Sequence, residues 1–453
     1  MKNLKSRLLN VLFWSVVSAA FIGPGTVTTA TKAGANFGFD LLWALVFSTF
    51  ACLLLQEASA RITINSGMNL GQAIARQFEG KPSKTLILLL VIGAIILGSA
   101  AYETGNILGS IAGLSLVFDI PQKILVAAIG ILAFAALNFR SMQGIARFMG
   151  GIVFFMGLAF FTTAIQLKPP IGEILKGSFI PTIPETEGAG LLILGLIGTT
   201  VVPYDLFLGS GVLNKKQAIS EMRFGLSVAV ILGGIISMAI MTVGTVIETE
   251  FTYETLAQAL THRIGSYAVY IFGFGMFAAG FSSAITAPLA SALTAQSLFE
   301  EKSKIRWKTQ GLYFRLVYTG VLVVGLFFGL MEIKPIPAII LAQAFNGLIL
   351  PFISIFLIYV INDPVLMGKG NANGWLSNIL MAIVMWVTMV MGIISIVRAI
   401  AKAFDIAINQ PDLLVIIVAV ISFFMSIAVL YFISKYRRKK EVSIHMDNIL
   451  KNE

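Results

Sequence analysis

The chain has 453 residues, of which 57% are hydrophobic and 12% charged, with a net charge of +10 and a mean hydropathy of +0.90. A soluble chain of this length cannot hide so much apolar surface and keep a solvated exterior, so soluble enzymes and nucleic-acid-binding proteins are set aside. The single cysteine, Cys52, lies in an apolar run and reads as packing, which excludes disulfides and cysteine-cluster metal sites.

Hydropathy predicts about 12 membrane spans, at 11–34, 39–59, 85–111, 122–138, 146–167, 190–212, 224–247, 266–298, 313–330, 336–361, 375–397 and 413–434. Apolar stretches of roughly 20 residues are long enough to cross about 30 Å of hydrocarbon. The first lacks a small-residue cleavage site and flows into further spans, so no signal peptide is expected. Basic residues gather between alternate spans: Lys2, Lys5 and Arg7; Arg61, Arg76 and Lys81; Lys215 and Lys216; Lys302, Lys304, Arg306 and Lys308; and the run Lys435 to Lys440. By the positive-inside rule both termini are expected in the cytoplasm. An even span count agrees with that. The last run reads first as a stop-transfer and orientation signal, and only second as a contact with anionic lipid.

Two spans are interrupted. Span 1 carries Phe21-Ile22-Gly23-Pro24-Gly25-Thr26, and span 6 carries Gly198-Thr199-Thr200-Val201-Val202-Pro203-Tyr204. Proline removes a helix hydrogen bond, glycine admits other backbone angles, and freed backbone at membrane depth is tolerated only against protein or a polar cavity. The breaks are five spans apart, which points to inverted repeats around a central site. The expected organisation is a first five-span repeat over 1–167, a second over 168–361, and two further spans with a basic tail over 362–453. At the breaks, the hydroxyls of Thr26, Thr199 and Thr200 and the loosened carbonyls can hold a cation such as Na⁺, and half-helix N-termini can face an anion. Thr28, Thr29 and Thr31 are assigned no individual role.

Ionisable residues inside spans are functional candidates. Glu103 shares one face of span 3 with Ser99 and Asn106, and is the favoured ion-path residue. Asp205 follows the span 6 break as a candidate counter-ion. Lys32 closes span 1, where it either snorkels to the interface or attracts an anion. Gln343 and Asn346 stand three apart in span 10. Neither His262 nor His445 falls within a span, so histidine proton relay or metal ligation in the membrane is not expected. No phosphate loop or metalloprotease spacing occurs, so no enzymatic activity is expected.

At these residues the chain resembles the natural resistance-associated macrophage protein (NRAMP) family of metal-ion transporters. The resemblance runs from Gly23-Pro24-Gly25-Thr26 through Phe37-Gly38-Phe39-Asp40-Leu41-Leu42-Trp43, Ala58-Ser59-Ala60-Arg61 and Gly67-Met68-Asn69-Leu70 to the span 6 break, Phe281-Ser282-Ser283-Ala284 and Gln343. It implies an all-α polytopic membrane protein with the LeuT-type 5+5 inverted repeat, broken helices 1 and 6, and alternating access. It also implies a substrate site at Gly23, Pro24, Gly25, Thr26, Thr199, Thr200, Val202, Tyr204 and Gln343.

The departures from the family pattern bear on the substrate. The family's Asp-Pro-Gly-Asn in span 1 becomes Gly23-Pro24-Gly25-Thr26, and its Met-Pro-His in span 6 becomes Val202-Pro203-Tyr204. The carboxylate, amide, thioether and imidazole at those positions are all replaced. Glu103 stands where the family has a span 3 aspartate of its proton path. A soft ligand favours Mn²⁺ or Fe²⁺ over Mg²⁺ and Ca²⁺, and Val202 supplies none, so no transition-metal site is expected. The first expectation is therefore Na⁺-coupled transport of a small inorganic anion such as bicarbonate, with Na⁺ the coupling ion and no cofactor. The alternative is a divalent cation such as Mg²⁺, carried largely hydrated with charge from Glu103 or Asp205. A transport-dead receptor or scaffold is a third reading, lowered because no sensor domain is visible. The expected setting is a monomer in a bacterial cytoplasmic membrane, with lipid and the transported ion as partners and no nucleic acid.

Overall fold

The computed structural model describes residues 22–138, 142–186, 188–213, 217–300, 304–368, 370–403 and 411–450. The early part of predicted span 1, with Phe21, lies outside them, as do Lys2, Lys5, Arg7, Lys215, Lys216 and Lys302. Among the described residues every regular element is a helix. They run α1 Pro24–Phe37, α2 Leu42–Ser66, α3 Leu70–Gln77, α4 Lys84–Ser115, α5 Gln122–Asn138, α6 Met142–Gln166, α7 Ile171–Phe179, α8 Ala189–Thr200 and α9 Pro203–Val212. There follow α10 Ile219–Gly244, α11 Tyr253–Ile264, α12 Ala268–Phe299, α13 Lys304–Trp307, α14 Leu312–Leu330, α15 Pro335–Ile361, α16 Pro364–Met367, α17 Trp375–Ala403 and α18 Pro411–Leu450.

Ten helical segments among the described residues are long and apolar enough to span a bilayer, with Ala189–Val212 counted as one across its break. The apolar helix α5 is shorter, at 17 residues, or about 26 Å at 1.5 Å per residue. Helix α1 is the described part of the first span.

The repeat is visible in matched helices. Helices α4 and α12, the third spans of the two halves, each have 32 residues and pack against one another. The second spans, α2 and α10, have 25 and 26 residues. Each second span is followed by a short helix that opens with a capping box, Asn69 with Gln72 on α3 and Thr252 with Thr255 on α11. In both boxes two orphan backbone N–H groups are satisfied reciprocally, which lets so short a helix form. Helix α2 stops at Gly67, whose φ of +69° only glycine adopts without strain, and whose N–H closes on the Thr63 carbonyl at 3.0 Å.

Span 6 is the centre and span 12 the periphery. Of the apolar window in Ala189–Val212, 94% is buried inside the protein, against 17% for Leu413–Val442. Around span 6 lie α1, α2 and α15, and α4 packs on α12, α14 and α15. The basic run Lys435–Lys440, read as part of a tail, continues helix α18 beyond the apolar stretch. It is held there by Arg437, which pairs with Glu441 at 2.9 Å one turn on and donates to the Asn373 carbonyl at 2.7 Å. Tyr436 donates to Asp363 at 2.7 Å, docking α18 on the loop that follows α15.

Candidate functional site

Both breaks end in a proline at the first turn of a new helix, where its missing N–H costs nothing. Gly23 precedes α1 with extended angles (φ −95°, ψ 179°). Val201 (φ −104°, ψ 86°) and Val202 (φ −85°, ψ 117°) interrupt span 6 in the same way. Helices α1 and α9 therefore begin at membrane depth, with the positive ends of their dipoles at the breaks.

The two breaks meet. Thr26 Oγ1 and Thr199 Oγ1 hydrogen-bond at 2.9 Å, both residues fully buried. Gln343 of α15 is wedged between the breaks. A Cβ on Gly25 would lie 2.1 Å from Gln343 Nε2, and one on Gly198 would lie 2.0 Å from the Gln343 carbonyl oxygen. Glycine at both positions is what allows this approach. The Gln343 side-chain oxygen, Oε1, is buried and accepts no hydrogen bond.

Two tyrosines complete the wall. Tyr102 of α4 and Tyr204 of α9 meet edge to face with centroids 5.5 Å apart. The Tyr102 hydroxyl lies beside Thr199 and Gln343 without closing a hydrogen bond to either. Beside this wall stands Asp205, in the first turn of α9, fully buried, with neither carboxylate oxygen accepting a hydrogen bond. Tyr102, Tyr204 and Cys52 of α2 are its titratable neighbours. An isolated carboxylate in such surroundings is expensive unless a cation or proton accompanies it.

Glu103, though adjacent in sequence to Tyr102, looks elsewhere. Its side chain lies against α14, where a Cβ on Gly325 would come within 2.6 Å of Glu103 Cγ. One carboxylate oxygen accepts from Asn106 Nδ2 at 3.3 Å and the other has no partner. The structure thus joins Glu103 with Asn106 as the spacing suggested, and holds the pair on a different face of α4 from Tyr102.

Other expected residues are placed differently. Thr200 donates to the Leu196 carbonyl at 3.0 Å, so its hydroxyl serves its own helix rather than the break. Lys32 is half-buried and makes no ion pair among the described residues. It stands six residues beyond Thr26, about 9 Å along α1. Asn346 bonds the Ala342 carbonyl at 3.3 Å, and its oxygen, without a partner, faces α4 near Gly98. Thr28, given no role from sequence, donates to the Pro24 carbonyl at 2.6 Å and shares a 2.7 Å hydrogen bond with Tyr253 of α11. Tyr102 and Tyr253 are the residues that sequence reading missed. The signal for Tyr253 was the Thr252 capping box; that for Tyr102 was its place beside Glu103 in a span with few polar groups.

No three His, Cys, Asp or Glu side chains among the described residues converge as a metal cage. The donors where the breaks meet are oxygens: the Thr26 and Thr199 hydroxyls and Gln343 Oε1, with the Tyr102 phenol beside them; the Tyr204 phenol and the Asp205 carboxylate are buried nearby without partners.

The family model described as natural resistance-associated macrophage protein-like matches residues 15–398. A divalent metal cation transporter, MntH, of Bacillus subtilis (strain 168) is 26% identical over 379 residues, covering 80% of this chain and 86% of that protein. MntH of Klebsiella pneumoniae (strain 342) is 26% identical over 313 residues, or 65% of this chain and 73% of the relative. Among solved structures, a manganese transporter of Eremococcus coleocola superposes with a TM-score of 0.70 at 20% identity, over 96% of both chains. Mhp1, a nucleobase-cation-symport-1 family transporter, superposes with a TM-score of 0.57 at 15% identity, over 93% of this chain and 92% of that one. The structural likenesses show the fold alone.

Proposed function

Because the chain belongs to the natural resistance-associated macrophage protein family, and so is an integral membrane transporter and not an enzyme, we propose that it moves a hard divalent cation, such as Mg²⁺, by alternating access. The observation that carries this reading is the Asp205 carboxylate, fully buried beside the breaks and accepting no hydrogen bond. A cation at the breaks would satisfy it, and Gln343 Oε1 offers a second oxygen without a partner. Oxygen donors suit a hard ion, and the absence of a thioether at Val202 removes the preference for Mn²⁺ or Fe²⁺. One carboxylate with neutral oxygens does not replace a full hydration shell, so the ion would keep several waters, as Mg²⁺ does.

Divalent metal cation transport, the function of the MntH relatives, agrees in charge class and not in ligand set. In this reading Asp205 takes over the charge that Gly23 cannot supply. Glu103 with Asn106 belongs to a separate path for a coupling ion.

Na⁺-coupled bicarbonate transport is kept as the second reading for one observation: two half-helix N-termini and the hydroxyl pair Thr26–Thr199 meet at the breaks. An anion there would face the dipole ends, but also Asp205, and the comparisons lend it no support. Uptake into proteoliposomes of Mg²⁺, Mn²⁺ and bicarbonate, each with and without a Na⁺ gradient, separates the two. The cation reading expects Mg²⁺ uptake that Asp205→Asn abolishes. Bicarbonate uptake that needs Na⁺, with no metal flux, would overturn it.

A further inference from the structure

Between the start of α17 and the end of the apolar part of α18 lies a cavity of about 390 Å³, away from the breaks. Its wall joins two chemistries. Trp375, Ile379 and Leu430 supply apolar surface, and Arg437 and Arg438 supply charge. The apolar stretch from Leu413 to Ser434 spans roughly 33 Å at 1.5 Å per residue, close to the thickness of the hydrocarbon core. Arg437 and Arg438 come just beyond it, and Trp375, 76% exposed, opens the antiparallel neighbour at the same level. This is the depth at which indoles and guanidiniums meet lipid headgroups.

The two arginines differ in what holds them. Arg437 is fixed by the Asn373 carbonyl and by Glu441, which also lines the cavity and whose charge this pairing offsets. Arg438 is exposed and makes no hydrogen bond or ion pair among the described residues. The wall behind them is rigid: Asn378 exchanges hydrogen bonds with Asn362 at 2.8 and 2.9 Å and accepts another from Asn373 at 2.7 Å. A preorganised wall, one braced guanidinium and one open guanidinium suit a phosphodiester, and the apolar side suits the glycerol and upper acyl chains.

We propose that this cavity is a binding site for the headgroup of an anionic phospholipid, held by Arg438 and Arg437 and seated on Trp375. The claim is independent of which ion the transporter carries. It differs from general attraction of a basic helix to an anionic surface, because Lys435 and Lys439 carry equal charge on the same helix and do not line the cavity.

The test is native mass spectrometry of the full-length chain in detergent, titrated with phosphatidylglycerol or phosphatidylcholine, with glycerol 1-phosphate as a soluble competitor. The wild type is expected to retain phosphatidylglycerol in preference to phosphatidylcholine. Arg438→Gln is expected to lower that retention on the order of fivefold, the weight of one basic group at a membrane surface. Arg437→Gln/Arg438→Gln should abolish the preference, while Lys435→Gln/Lys439→Gln should leave it unchanged. Arg438→Gln alone removes no hydrogen bond or ion pair among the described residues, so the variant is expected to fold as the wild type does. Equal losses in both double variants, no preference for phosphatidylglycerol, or displacement by glycerol 1-phosphate at equal concentration would each overturn the site.

Discussion

Thr26 and Thr199, separated by 173 positions in the chain, share a hydrogen bond of 2.9 Å, and through it the breaks of the two repeats touch. A hydroxyl pair of this kind offers two oxygens to an ion at one point, and holds the half-helices α1 and α9 in register while it does so. Asp205 lies close to the same wall, on the far side of a proline from Val202.

The pair is expected to act as a unit. Thr26→Ala and Thr199→Val should each slow uptake about tenfold, while thermal stability falls by only about 1 kcal/mol, the net worth of one hydrogen bond. The double variant should be little worse than either single one, with a coupling on the order of 1 kcal/mol in a double-mutant cycle of uptake rates. Additive losses would mean that the two hydroxyls serve separate purposes.

Gln343 provides a rescue experiment. Gly25→Ala places a methyl against the Gln343 side chain, whereas Gly198→Ala places one against its backbone carbonyl. Each should destabilise the folded transporter by about 1–3 kcal/mol, the usual cost of overpacking. Adding Gln343→Ala should restore stability to Gly25→Ala and not to Gly198→Ala, as read by fluorescence-detected thermal unfolding.

How much of this was legible in the sequence depends on the residue. The breaks were, because Gly23-Pro24-Gly25 and Val202-Pro203 carry their backbone consequences in one dimension. So was the joint placement of Glu103 and Asn106, three apart on a helix. Tyr102 was not, since its role comes from meeting Tyr204 across two helices whose crossing no periodicity describes. The same holds for Thr200. Sequence shows a hydroxyl at the break, but only the rotamer tells that it turns back to the Leu196 carbonyl. Lys32 looked available to an anion on composition, and α1 carries it a turn and a half beyond the hydroxyl pair.

Tyr253 links α11 to α1 through Thr28. Tyr253→Phe and Thr28→Ala should each lower stability by about 1 kcal/mol, and combining them should add nothing further. Thermal unfolding of the three variants measures this directly. A Thr28→Ala loss that Tyr253→Phe does not mask would show that the Thr28 bond to the Pro24 carbonyl is the one that matters.

Asp205 carries the central claim, and Mg²⁺-dependent thermal stability of purified wild type and Asp205→Asn tests it most directly. A bound ion stabilises by an amount that grows with its concentration, about 2.7 kcal/mol at a hundredfold excess over its dissociation constant. The wild type should show that logarithmic rise. Without Mg²⁺, Asp205→Asn should be as stable as the wild type or more so, because a buried carboxylate without a partner has been removed, and it should gain nothing from the ion. A variant that is stabilised by Mg²⁺ as the wild type is, and still takes it up, would contradict the account.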